Sequence, residues 1–95
     1  MTLKDKLVNL TEEAKKRDYT KANIIVDQQY EKITKKLIEV AKKGKSEIYL
    51  NTISGYHKES FSIKNEIKNK IIDKLRNEKL VVSYLSTGYN ITIRW

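Results

Sequence analysis

Five residues between positions 56 and 68 carry side chains that together could hold an anion: Tyr56, His57 and Lys58 in a polar segment, then Lys64 and Lys68 one helical turn apart. Lysines at the start of a helix present ammonium groups to a phosphate or carboxylate, and nearby aromatic rings stack on a base or sugar ring. Tyr49 has no clear structural duty in the sequence and joins them. The expected ligand-binding set is Tyr49, Tyr56, His57, Lys58, Lys64 and Lys68. An alternative reading stays open for the lysines. Both border the apolar stripe of their helix, where the stems of snorkelling lysines cover a core edge. For His57 the alternative is an ordinary exposed loop residue.

Other chemistries find little support. His57 is the single histidine and there is no cysteine. Disulfides, thiolate metal sites and cysteine nucleophiles are therefore excluded, and Glu59 beside a lone histidine has no metal-ligand spacing. The three glycines, at 44, 55 and 88, form no phosphate-cradling loop. No serine sits in a nucleophile elbow. Glu12 and Glu13 fall in a charged helix end and read as solvated. The expectation is a protein without catalytic residues, cofactor or metal.

The formal net charge is +8, and 17 of the 20 basic residues are lysine. Such a balance attracts anions, including nucleic acid. Base readers favour arginine, whose planar fork matches guanine edges and phosphates, and only three arginines are present. The excess of Lys, Ile and Asn also follows from an AT-rich coding sequence. Glu31 with Lys35, Glu39 with Lys43, and Glu66 with Lys70 are acid-first pairs four residues apart, which compensates those lysines locally.

Periodicity orders the elements that must position these residues. Leu3, Leu7, Leu10 and Ala14 make a narrow stripe on a short first helix, ending in the polar run Lys15-Lys16-Arg17-Asp18. Tyr19, Ala22, Val26, Tyr30, Ile33, Leu37 and Val40 predict a second helix over about 20–43, stopped at Lys42-Lys43-Gly44. A strand is expected within 46–53, a polar loop over 54–60, and a third helix over 61–78 on Ile63, Ile67, Ile71 and Leu75. The chain ends in two strand runs around Ser86-Thr87-Gly88; Tyr89, Ile91, Ile93 and Trp95 alternate onto one face. A terminus this apolar is expected to dock. The fold class is α+β, order α-α-β-α-β-β, with a small three-stranded sheet and a terminal hairpin packed on helices, in one domain over residues 1–95. Ile24, Ile25 and Ile38 fall off the main stripe, so a homo-oligomer is expected. No leader-like apolar region follows Met1 and no apolar run reaches the length of a membrane span, which suggests a cytoplasmic protein without a membrane partner.

The helical first half ending in Lys43-Gly44-Lys45, the strand from Glu47 to Leu50, the following helix and the closing Ile93-Arg94-Trp95 give the chain a likeness. It resembles small accessory proteins of phages and prophages of low-GC Gram-positive bacteria over about the last sixty residues. The resemblance implies a non-enzymatic role by binding, such as counter-defence that sequesters an anionic nucleotide immune signal or blocks a host protein. It carries no site residues across. The competing expectation is a nucleic-acid-binding module using the basic surface of the third helix and the hairpin.

Overall fold

The computed structural model describes residues 2–95. A capping box starts the first helix. The Thr2 hydroxyl accepts the Asp5 N–H at 3.3 Å, and the Asp5 carboxylate accepts the Thr2 N–H at 3.4 Å. From there one helix, α1, runs without interruption over Leu3–Lys42. The two helices expected in this half are therefore one, and the order is α-β-α-β-β. Lys15-Lys16-Arg17-Asp18 is polar but holds no Pro or Gly, so nothing stops the backbone ladder there, and a charged run is as much at home on an exposed helix as in a connection. The true stop lies at Gly44, φ +83°. Gly44 N–H donates to Ala41 O at 3.0 Å and Lys45 N–H to Val40 O at 3.3 Å, closing the helix in a Schellman motif.

Strand β1 (Glu47–Asn51) follows, then α2 (Phe61–Asn77), capped by the Ser60 hydroxyl, then β2 (Val81–Tyr84) and β3 (Asn90–Arg94). The sheet is antiparallel with β3 in the centre, order β1-β3-β2. Ile48, Ile93 and Val82 form one cross-strand row turned toward the helices; Tyr49, Thr92 and Ser83 form the next, on the open face. Both helices lie on one side, giving the expected two-layer α+β arrangement. The predicted strand ends early because the chain turns after Asn51, whose side-chain oxygen accepts the Ile53 N–H at 2.9 Å. That turn puts Ile53 in the core.

The core is aliphatic. Ile63, Ile67, Ile71, Ile72 and Leu75 of α2 meet Ala22, Ile25, Val26 and Ile33 of α1 and Val82, Ile91 and Ile93 of the sheet. Ile25 thus belongs to the monomer's own core, whereas Ile24 and Ile38 are exposed. Tyr19, expected in the stripe, stands at the surface. Trp95 docks only in part: its backbone N–H donates to Ser46 O at 3.1 Å, but its side chain is 43% exposed.

Ala22 is the first buried residue of α1. The molecule is 62 Å long but only 25 and 22 Å across. The N-terminal part of α1 therefore projects as an arm of roughly 25 Å, at ~1.5 Å per residue.

Ile93 is fully enclosed, so Ile93→Ala should lower unfolding free energy in urea by ~2–5 kcal/mol. Ile38→Ala, on the exposed face, should change it by no more than ~0.5 kcal/mol.

Candidate functional site

The cations of α2 are already engaged within the chain. Lys68 is only 5% exposed; its ammonium donates to Gly88 O at 3.2 Å and lies 5.5 Å from the Tyr84 ring and 5.9 Å from the Tyr89 ring. Lys64 stands 5.9 Å from the Tyr89 ring. The Arg76 guanidinium donates to Val82 O at 3.0 Å and sits 5.4 Å from the Tyr84 ring. On the opposite flank Lys70 donates to the Asn23 side chain and caps the Tyr19 ring at 3.4 Å, so the Glu66–Lys70 pair does not form. Lys74 reaches Asp27 at 3.4 Å and the Tyr30 ring at 5.3 Å. Each cation of α2 thus stands against a tyrosine, which fastens the helix to the hairpin on one side and to α1 on the other.

The six residues singled out from the sequence do not form one pocket. Lys64 and Lys68 meet over Tyr89, beneath the β2–β3 turn. The Tyr56 hydroxyl donates to the Gln28 side chain at 3.1 Å, which ties that ring to α1. His57 and Lys58 are exposed in the loop before α2, without hydrogen bond or ion pair among the described residues, while neighbouring Glu59 pairs with Lys21 at 2.8 Å. Tyr49 points from the sheet's open face, 68% exposed.

Tyr49 does border a groove with cations, but they come from α1. Lys32, Lys36, Gln29 and Ile33 form one wall and Tyr49, Leu50, Asn51 and Ser54 the other, around a volume of about 280 Å³. The Gln29 amide donates to Ser54 O at 3.1 Å, tying the turn after β1 to α1. Lys32 and Lys36 lie one turn apart and form no ion pair among the described residues. Lys35 and Lys43 differ, meeting Glu31 at 3.4 Å and Glu39 at 3.8 Å. Like charges four residues apart repel, so an anion set between Lys32 and Lys36 relieves a local electrostatic cost. A larger hollow of about 530 Å³ on the sheet's open face, between Tyr49 and Thr87, is lined without any charged side chain. It lacks what an anion needs.

Sequence reasoning passed over Lys32 and Lys36. Their signal was present, since neither has an acid four residues before or after it. Their approach to Tyr49 was hidden, because it depends on how α1 lies along β1. Among the described residues no group of three or more His, Cys, Asp or Glu side chains gathers as for a metal ion, and no helix is long and apolar enough to cross a membrane. No protein-family model, curated protein or solved structure matches the chain.

Removing the Lys68 ammonium breaks a charge-assisted bond in a closed environment. Lys68→Met should cost ~1–3 kcal/mol in a urea melt, and Lys64→Met less than half as much.

Proposed function

We propose that the protein is a non-enzymatic binding protein that acts by occupancy and takes an anionic nucleotide in the groove between α1 and β1. One observation carries this reading: two lysines without acidic partners, Lys32 and Lys36, line a groove that is also lined by Tyr49, an exposed aromatic residue on the edge strand β1. Ammonium groups hold a phosphate as point charges, and the ring offers a stacking surface to the base. The groove's volume lies near the lower end of small-molecule sites, ~300–1,000 Å³, which suits a single nucleotide better than a longer one. In this reading the protein is a sink for a nucleotide immune signal, the counter-defence role suggested by the likeness to phage accessory proteins.

Calorimetric titration with cyclic and linear nucleotides at two salt concentrations tests the proposal. Binding is expected with definite stoichiometry and mild salt dependence. Lys32→Glu with Lys36→Glu should abolish it while shifting stability by no more than ~0.5 kcal/mol, since both side chains are exposed. Tyr49→Ala should weaken it about tenfold, a stacking contribution of ~1–3 kcal/mol being usual. Reversing Lys35 and Lys43, already paired, should matter little. Wild-type protein that binds no nucleotide overturns the reading. Steeply salt-dependent binding of short duplexes, spread over many lysines, replaces it with nucleic-acid binding.

A further inference from the structure

The arm of α1 carries an apolar face that the rest of the chain leaves uncovered. Leu3 is 72% exposed, Leu7 54% and Leu10 53%. With Ala14 they step by four, three and four residues, the spacing of a coiled-coil seam. The arm's start is fixed by the Thr2–Asp5 capping box, so the seam has a defined end. A projecting single helix of this length is marginal in water unless its apolar side is covered.

We infer that the arm is a self-association element, and that its occupant is the arm of a second copy of this chain packed antiparallel on it. Charge and register select this arrangement. When Leu3 faces Ala14 of the second copy, Leu7 faces Leu10, and the apolar layers close on themselves under a two-fold axis. The positions flanking that seam bring Lys6 of each copy against Glu13 of the other. Neither side chain has a hydrogen bond or ion pair among the described residues of its own chain. The next seam residues, Arg17 and Lys21, fall beyond the end of the opposing helix; Arg17 stays in solvent and Lys21 keeps its ion pair with Glu59. A parallel pair does the reverse: it sets Arg17 against Arg17 and Glu13 against Asp18, like charge against like. The antiparallel pair also sends the two folded bodies to opposite ends, where they do not collide.

Sedimentation equilibrium from micromolar to several hundred micromolar protein tests this. The mass should rise with concentration toward twice the 11.2 kDa of the chain. Leu7→Asp should hold it at the monomer value and leave the melt of the body unchanged, because Leu7 lies outside the core. Lys6→Glu alone and Glu13→Lys alone should each weaken association about tenfold, and the double variant should restore it. That rescue is specific to the antiparallel register. Orientation is read independently by spin labels on Ile24→Cys, the chain having no other cysteine. At ~1.5 Å per residue the antiparallel pair separates the labels by roughly 45 Å along the axis; a parallel pair brings them within about 20 Å, the diameter of two helices. A wild-type chain that stays monomeric throughout overturns the inference, as do a double variant without rescue and a short label distance.

Discussion

The apolar stripe of α2 is the constraint on which the other elements depend. Ile63, Ile67, Ile71, Ile72 and Leu75 make a band too wide for one neighbour to cover, and all five are buried. One side is taken by Ala22, Ile25, Val26 and Ile33 of α1, the other by Ile91, Ile93 and Val82 of the sheet. Neither α1 nor the three-stranded sheet has another partner of comparable extent among the described residues. A small antiparallel sheet needs one packed face to be stable, and α2 supplies it. The central place of β3 follows: it carries two fully enclosed isoleucines, Ile91 and Ile93, and pairs with both neighbours.

Lysine and tyrosine then act together at the rims of this core. Tyr84 and Tyr89 receive Lys64, Lys68 and Arg76 from one flank of α2, while Tyr19 and Tyr30 receive Lys70 and Lys74 from the other. Aromatic bodies close the apolar edge and cationic heads sit over the rings, so lysine stems and tyrosine faces together extend the covered area. These cations are spent on the fold. A net charge of +8 therefore overstates what is open to a ligand. The distinction that matters is local: Lys35 and Lys43 have acids one turn back and the α2 lysines have rings, whereas Lys32 and Lys36 have each other.

How much could be read in advance follows the same logic. Elements governed by periodicity were legible. The α2 stripe, its Ser60 cap, the Gly44 stop and the β2–β3 alternation all depend on residues close in sequence. The merging of two expected helices was not, because a charged run such as Lys15-Lys16-Arg17-Asp18 is as compatible with an exposed helix as with a connection. Only the absence of Pro and Gly spoke for continuity. The arrangement of the candidate site residues was not legible for a different reason. Lys64 and Lys68 were correctly placed at the edge of the stripe, but whether an edge lysine faces solvent or a carbonyl depends on where the hairpin turn lands. Here Gly88 O lands on Lys68. Tyr49 was legible as an exposed aromatic, and its cationic neighbours were not, since they lie on an element thirteen or more residues earlier in the chain.

The continuity of α1 joins the two proposals mechanically. The arm and the wall of the groove are parts of one rigid helix with no Pro or Gly between Leu3 and Lys42. In an antiparallel pair of arms, position 34 of each copy, midway between Lys32 and Lys36, lies roughly 75 Å from its equivalent along the axis at ~1.5 Å per residue. No single nucleotide spans that distance. Two copies joined by their arms would hold two separate, equivalent grooves, and pairing would create no shared site. Binding in the grooves would then be non-cooperative. Association would act on each groove only through the ordering of the arm, whose helix is the same one that carries Lys32 and Lys36.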